Sequence, residues 1–246
     1  MDLAFMGRTF LTLIEGVPLL LELASLSLSI GAVFALLLAT MRLSGVPVLD
    51  WTAQSYIFVF RGTPLLVQIF LIYYGLGQFR PALQDVGLWW FFREPFYCAV
   101  FALTLNTAAY AAEIFRGGLL SVPHGQIEAA KACGMSRLQR FRRITLPIAV
   151  RQALPAYGNE IILMVKATSL ASVITLMEVT GLAYRLIAQS FRAVEVFVVA
   201  GAIYLFINFV VTRVILYTEW RLSPHLRQAP DAEAPMKPAP AHARGA

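Results

Sequence analysis

EAAKACGMSRLQRFRRITLP, residues 128–147, is a strongly basic stretch between two hydrophobic blocks that are each long enough to enter a membrane. Good helix formers follow Pro123, Gly134 can end that helix, and Ser136 can cap a second, short one. The Leu-Pro pair at 146–147 would stop the second helix. The pattern therefore predicts a short helical hairpin. On composition alone, an ordinary cytoplasmic loop whose basic residues hold the topology fits about as well.

The composition of the whole chain is that of a membrane protein. Of its 246 residues, 59% are hydrophobic and 14% are charged, whereas about a quarter of the residues in a soluble domain are charged. A hydrocarbon core of roughly 30 Å requires about 20 apolar residues per helix. We therefore expect an all-α integral membrane protein with about five transmembrane helices and no separate soluble domain.

The candidate spans are five apolar blocks. They cover residues 17–41, 51–76, a segment from the aromatic run at 89–92 to about 116, 155–176 and 196–217. The second block is interrupted by Arg61-Gly62-Thr63-Pro64, where glycine and proline free backbone groups that a bilayer cannot satisfy. The apolar N-terminus resembles a signal peptide, but polar residues and a proline interrupt it, so we expect an uncleaved first span.

The basic residues are distributed unequally between the two sides of such a topology. With the N-terminus outside, the cytoplasmic set is Arg42, Arg116, Lys131, Arg137, Arg140, Arg142, Arg143, Arg151, Arg221, Arg227, Lys237 and Arg244. The external set is Arg8, Arg80, Arg93, Arg185 and Arg192. This bias predicts a cytoplasmic hairpin, a cytoplasmic C-terminus and an odd number of spans. Residues 1–222 would form the transmembrane region, and the alanine- and proline-rich residues 223–246 a disordered cytoplasmic tail.

Several classes of function lack sequence support. The net charge of +6 would suggest nucleic acid as a partner of a soluble protein, but membrane orientation explains it better, and we expect no nucleic-acid partner. No GxxxxGK[ST] motif is present, so the chain binds no ATP by that route. The two cysteines and three histidines are scattered, which predicts no disulfide and no metal site. No catalytic motif of a membrane enzyme is visible, so no catalytic residue is expected.

Three polar residues from three spans, Arg61, Asn106 and Lys166, lie at one depth. At 1.5 Å per residue each is about 15 Å from the end of its span, near the midplane. Such residues generally face a protein interior or a wet cavity. One interpretation is that they pair locally and hold the bundle together. The other is a polar cavity that binds a solute, where a cation beside free amides suits a carboxylate.

The solute-binding hypothesis names the residues at the two span interruptions and the polar residues of the third span. These are Arg61, Thr63, Asn106, Tyr110, Lys166, Thr168 and Ser169. The candidate acids for an ammonium group of the solute are Glu22, Glu113, Glu160 and Glu178, and periodicity does not choose among them. Glu113 and Arg116 are three residues apart on a helix, so we expect them to pair with each other.

The spacing of Glu128-Ala129-Ala130, Gly134, Ile144 and Leu146-Pro147 resembles the EAA loop of ABC importer permease subunits. Around it, three further segments resemble the polar amino-acid subfamily. They are FRGTPLLVQIFLIYYGL at 60–76, LTLNTAAYAAEIFRGGLLSVPHGQIEAAKACGMS at 103–136 and LPAYGNEIILMVKATSL at 154–170. SFRAVEVFVVAGAIYL at 190–205 is especially similar to permeases of the histidine, lysine/arginine/ornithine and octopine/nopaline importers. The resemblance covers nearly the whole chain except the tail. Cys133, where leucine is expected, and Ile148, where glutamine often follows, depart from the pattern.

The resemblance implies the type I ABC importer permease fold in a bacterial inner membrane. The partners would be an identical or sister permease, two cytoplasmic ATPases that bind the ATP, an external solute-binding protein and the surrounding lipid. The chain itself would hold no cofactor and would import a polar amino acid, with cationic amino acids or opines as the narrower class. The alternative is an ion-coupled secondary transporter or a channel, neither of which needs an EAA-spaced loop.

The resemblance also assigns a role to the hairpin at about residues 121–147. Its coupling helix would run from Pro123 to about Cys133 and would dock on an ATPase. The coupling residues would be Gln126, Glu128, Ala129, Ala130, Gly134 and Met135. Two roles stay open for Glu128, which could contact an arginine of the ATPase or cap its own helix. The identity of the solute, the subunit that binds it and the identity of the second permease also stay open.

Overall fold

The computed structural model describes residues 2–222, and within that range all regular structure is helical. The predicted disordered tail at 223–246 lies outside the described residues. The α-helices are α1 Leu3–Ile14, α2 Val17–Arg42, α3 Pro47–Gly62, α4 Leu65–Phe70, α5 Arg80–Asp85, α6 Trp89–Phe92, α7 Pro95–Leu120, α8 His124–Ala132, α9 Arg137–Arg140, α10 Leu146–Ala167, α11 Val179–Ser190 and α12 Ala193–Leu222. Wider π-helical turns follow α4 at Leu71–Gly75 and α9 at Phe141–Thr145, and a 3-10 helix follows α10 at Thr168–Ile174.

The number of segments able to cross a membrane agrees with the prediction of about five. By length and composition, the described residues contain three such segments, Leu3–Arg42, Pro95–Leu120 and Ala193–Leu222. Two bent pairs raise the number to as many as five. The chain bends by 103° between Pro47–Gly62 and Leu65–Gly75, and by 48° between Arg137–Ile174 and Val179–Ser190.

The first helical segment begins earlier than the predicted residue 17. The Asp2 side chain accepts a hydrogen bond from the Phe5 backbone N–H at 3.1 Å and caps α1 at its start. At the end of α1, Gly16 donates to the Leu13 carbonyl and accepts from Leu20, so the chain passes into α2 with helical hydrogen bonds. The polar residues near Glu15 therefore did not delay the helix, because backbone hydrogen bonding continues across them.

The second helix of the hairpin is not short, and the predicted stop at Leu146 and Pro147 is wrong. The chain runs from α9 through a π-helical turn directly into α10. Proline is tolerated in the first turn of a helix because the N–H that it lacks would have no helical partner there. Pro147 takes such a position in α10, while Pro155 lies within the helix. The π-helical turn before Pro147 lets the helix continue into the membrane span.

The centre of the bundle is α7, which packs against α2, α3, α4 and α10. Most of its buried residues are alanines or other small residues. Small side chains allow close approach of helices in a membrane, where packing replaces the hydrophobic driving force. The tightest crossings occur at glycines. A β-carbon on Gly31 of α2 would lie 2.4 Å from the Thr107 side chain, and one on Gly118 would lie 2.7 Å from the Ala149 carbonyl oxygen.

Candidate functional site

A buried glutamine, Gln68, closes the break between α3 and α4. Its amide nitrogen donates to the carbonyl oxygens of Phe60 at 2.9 Å and Thr63 at 3.1 Å, which lie at the end of α3. The last carbonyls of a helix have no partner within the helix, so these bonds satisfy groups that the bilayer would leave unpaired. Asn106 of α7 donates to the Gln68 side-chain oxygen at 3.0 Å and to the Phe60 carbonyl at 3.3 Å. The sequence analysis did not single out Gln68, although a lone amide in the apolar run LLVQIF was an available signal.

The predicted second interruption lies at the end of α10, where the helix tightens into the 3-10 segment Thr168–Ile174. Lys166 is exposed on the last turn of α10. The Ser169 hydroxyl donates to the Lys166 carbonyl at 2.7 Å. Thr168 points the other way, because it is fully buried and its hydroxyl donates to the Val165 carbonyl at 2.8 Å. The interruption therefore presents Lys166 and Ser169 on one side and packs Thr168 into the core.

A cavity of about 450 Å³, which we call the Lys166 cavity, lies between α7 and the end of α10. Its polar lining consists of Asn106, Tyr110, Glu160, Lys166 and Ser169. Glu160 is only 7% exposed, and its carboxylate accepts a hydrogen bond from the Thr107 hydroxyl at 2.8 Å. The cavity therefore offers a buried carboxyl group, an exposed ammonium group, an amide and an aromatic hydroxyl. Leu163, Met164, Ala167 and Leu170 complete its lining.

A second cavity of about 480 Å³, the Arg61 cavity, lies nearer the end of the bundle that carries the hairpin. It is lined by Arg42, Gln54, Ile57, Phe58, Arg61, Gly62, Tyr110 and Glu113. The Arg61 guanidinium carbon lies 5.1 Å from the centroid of the Tyr110 ring, a cation–π contact. Since Tyr110 lines both cavities, the Arg61–Tyr110 pair stands at their boundary.

The structure distinguishes the four candidate acids. Glu178 is fully buried and caps α11, where it accepts from the backbone N–H groups of Thr180 and Gly181 and from the Tyr204 hydroxyl. Glu22 is exposed on α2 and lines neither cavity. Of the acids that border a cavity, Glu160 lines the Lys166 cavity together with Lys166, and Glu113 lines the Arg61 cavity.

Glu113 is paired with two arginines, of which the sequence predicted only Arg116. Arg116 donates two hydrogen bonds to one carboxylate oxygen, at 2.7 and 3.0 Å, which confirms the predicted pair. Arg42 approaches the other oxygen at 3.5 Å and also forms an ion pair with Asp50. These four side chains tie α2, α3 and α7 together at the hairpin end of the bundle.

The structure brings some of the predicted solute-binding residues together and separates others. Asn106, Tyr110, Lys166 and Ser169 line one cavity. Arg61 lies across Tyr110 in the adjoining cavity, whereas Thr63 is engaged in the span break, where its hydroxyl donates to Val59 and accepts from Gln68. Sequence spacing predicted a common depth, but the rotation of each helix decided which side chains share a cavity.

The hairpin has the predicted local geometry up to its second helix. Gly134 has φ of +74°, and backbone bonds from Gly134 to Lys131 and from Met135 to Ala130 close the end of α8. Ser136 caps α9 in a reciprocal arrangement with Gln139, a capping box. This part of the chain therefore forms a rigid turn between two helices.

Most of the predicted coupling residues are available on the hairpin surface. Gln126, Glu128 and Ala129 are exposed, Met135 is half-buried and Ala130 is buried. Glu128 lies in the middle of α8, and Pro123 occupies the N-cap position, so Glu128 does not cap its own helix. The structure excludes the capping role, and contact of the exposed Glu128 carboxylate with an arginine of the ATPase stays a prediction.

Comparison with known proteins identifies a family over most of the chain. The family model described as binding-protein-dependent transport system inner membrane component matches residues 31–224. The chain is 59% identical over 226 residues to the octopine transport system permease protein OccM of Rhizobium radiobacter, and the match covers 92% of both proteins. It is 48% identical over 167 residues to the arginine ABC transporter permease protein ArtM of Escherichia coli (strain K12), which covers 68% of this chain and 74% of ArtM.

A solved structure described as an amino acid ABC transporter with histidines has a similar fold. The TM-score is 0.78 at 34% sequence identity, and the match covers 90% of this chain and 99% of the other. The matched residues of the family model include the hairpin and the lining of both cavities.

Proposed function

The chain belongs to the family of binding-protein-dependent transport system inner membrane components, and we propose that its Lys166 cavity binds a polar amino acid or opine during import. It is a permease subunit of an ABC importer with the type I permease fold, and it is not an enzyme. The family match gives no support to the alternative of an ion-coupled secondary transporter or a channel.

The observation that carries the solute proposal is the placement of Glu160 and Lys166 around one cavity. A buried carboxyl group with a single hydroxyl partner, Thr107, retains acceptor capacity for a cationic group. No carboxylate oxygen of residues 2–222 lies within 4.0 Å of the Lys166 ammonium group, so it can pair with a carboxylate of the solute. Octopine and arginine, the solutes in the names of two relatives, each carry a guanidinium and a carboxylate. A guanidinium-bearing amino acid or opine therefore suits this pair of groups.

The family also supports a set of partners, which we propose for this chain. It would pair with an identical or sister permease in a complex with two cytoplasmic ATPases, one of which would bind its α8, and with an external solute-binding protein on the opposite side. ATP would bind to the ATPases, so this subunit would need no cofactor of its own. Gln126, Glu128 and Ala129 would form the ATPase contact, with Gly134 and Met135 shaping the turn and Ala130 packing beneath it. In a bacterial inner membrane, the N-terminus would lie outside and the C-terminus in the cytoplasm.

The test is uptake by proteoliposomes that contain the complete complex and its binding protein. A panel of labelled amino acids, including L-arginine, identifies the solute. Glu160→Gln keeps the size of the side chain and an oxygen for Thr107 but removes the charge. We expect it to reduce L-arginine uptake at least roughly tenfold, because a lost charge-assisted hydrogen bond is worth about 1.5–3 kcal/mol. Glu22→Gln, an exposed carboxylate outside both cavities, is the matched control and should transport normally.

The two cations supply the second arm of the same test. Lys166→Ala and Arg61→Ala should each abolish uptake, while the complex still assembles and can be purified intact. Normal uptake by both alanine variants would exclude the cavities as the solute path. Unchanged L-arginine uptake by Glu160→Gln would exclude Glu160 as the group that binds the solute cation.

A further inference from the structure

Tyr110 and Arg61 separate two polar cavities that the sequence predicted as one site. The Lys166 cavity has a volume of about 450 Å³ and the Arg61 cavity about 480 Å³, so they are of similar size. Tyr110 lines both, and the Arg61 guanidinium lies over its ring. The position of Arg42 and Glu113 toward the ends of α2 and α7 places the Arg61 cavity on the hairpin side of this boundary.

The Arg61 cavity contains one cation that forms no close ion pair. Arg42 is paired with Asp50 and Glu113, and Glu113 is also paired with Arg116. Within residues 2–222, by contrast, no carboxylate oxygen lies within 4.0 Å of the Arg61 guanidinium, which lies over the Tyr110 ring and is attracted by the Glu160 carboxylate only from a longer distance. The hydrogen-bond donors of Arg61 are therefore available to a ligand at the boundary between the two cavities.

A guanidinium that lies over an aromatic ring can exchange this contact for another partner. Arginine presents a planar fork of donors that matches a carboxylate with two parallel hydrogen bonds, and its contact with a ring face uses none of those donors. A carboxylate that reaches Arg61 can therefore replace the ring as its partner. Gln54, exposed in the same cavity, adds an amide that can bond to polar groups of the same molecule.

We propose that the Arg61 cavity is a second solute site, at which Arg61 leaves Tyr110 and binds the carboxylate of the solute. This inference rests on the proposed function, because it takes the Lys166 cavity as the site from which the solute arrives. The solute then passes the Arg61–Tyr110 pair and is held on the hairpin side before release. The ligand class of this site is the carboxylate end of an amino acid or opine.

The test reports on each cavity separately in the complete complex, kept in lipid nanodiscs without nucleotide. A Cys133→Ser background removes the exposed native thiol, and the other cysteine of the chain, Cys98, is buried. A single reporter is then introduced at an exposed apolar lining residue that has no proposed contact with the solute, Phe58→Cys for the Arg61 cavity or Leu163→Cys for the Lys166 cavity. The measured quantity is the rate of maleimide labelling with and without L-arginine. At about ten times its Kd, bound L-arginine should slow labelling roughly tenfold at each reporter.

Variants of Arg61 and a ligand without a carboxylate complete the experiment. Arg61→Ala should remove the protection of Phe58→Cys and keep that of Leu163→Cys, whereas Arg61→Lys, which retains the charge, should keep part of both. Agmatine, which is arginine without its carboxylate, should fail to protect Phe58→Cys. Protection of Leu163→Cys alone in the unaltered Arg61 background would leave the proposed function standing and overturn the second site. Protection of neither reporter would overturn the proposed function itself, and equal protection of Phe58→Cys in Arg61→Ala would also overturn the role of Arg61.

Discussion

Gly134 shows how a single backbone conformation shapes the hairpin. Its φ of +74° lies in the left-handed region that glycine adopts without steric cost. Two hydrogen bonds depend on that conformation, from the Gly134 N–H to the Lys131 carbonyl and from the Met135 N–H to the Ala130 carbonyl. Within residues 2–222, no atom outside its chain neighbours lies within 4 Å of the position that a β-carbon would take. The requirement for glycine therefore comes from the backbone angle, since space alone would admit a larger residue.

We expect Gly134→Asp to leave the protein inserted in the membrane and to block either ATPase assembly or solute-stimulated hydrolysis. Aspartate places a negative charge beside the exposed face of α8. Gly134→Asn is the matched control, because asparagine has nearly the same shape, tolerates the left-handed region as aspartate does, and carries no charge. Hydrolysis in proteoliposomes measures the effect, and more stimulation should remain with asparagine than with aspartate. Normal stimulation of the aspartate variant would refute the coupling role of this turn.

At the scale of helices, substitution of two adjacent glycines of α7 by alanine should have opposite effects on stability. A β-carbon on Gly118 would lie 2.7 Å from the Ala149 carbonyl oxygen and 2.9 Å from the Ala153 side chain, so α7 and α10 would have to move apart. We expect Gly118→Ala to destabilise the protein by about 1–3 kcal/mol, the usual cost of overpacking. Gly117→Ala, with nothing within 4 Å, should be neutral or should gain up to about 1 kcal/mol of helix propensity. Thermal unfolding in detergent measures both, and equal midpoints would contradict the crossing.

Features of these helices that depend on local hydrogen bonding could be predicted from the sequence. The end of α8 at Gly134 and the cap of α9 at Ser136 were predicted because each is set by residues three or four positions away. Gln68 was missed because its bond to Asn106 joins residues 38 positions apart and exists only after the span bends. Helix rotation likewise decided that Glu160, among four acids, lines the same cavity as Lys166. The π-helical turn that carries the chain past Pro147 has no comparable sequence signal.

At the scale of the molecule, the continuous path from the hairpin into α10 connects the two functional regions. From Arg137 to Lys166 the chain is helical throughout, a length of roughly 45 Å at 1.5 Å per residue. Movement of an ATPase against α8 would therefore pass through the Gly134 turn into one helical segment that reaches the Lys166 cavity. Closure of the ATPase pair would then change the access of the cavities from one side of the membrane to the other.

The orientation required by this mechanism can be tested with a native thiol. Cys133 is exposed on the hairpin and Cys98 is buried, so a membrane-impermeant maleimide should label Cys133 from the cytoplasmic side only. We expect labelling of inverted membrane vesicles and none of intact spheroplasts, because the basic residues that follow Cys133 favour the cytoplasm. The chain is expressed without its ATPase, so that no partner covers the hairpin. Cys133→Ser should lose the signal. Labelling of spheroplasts would place the hairpin outside and would contradict its proposed contact with a cytoplasmic ATPase.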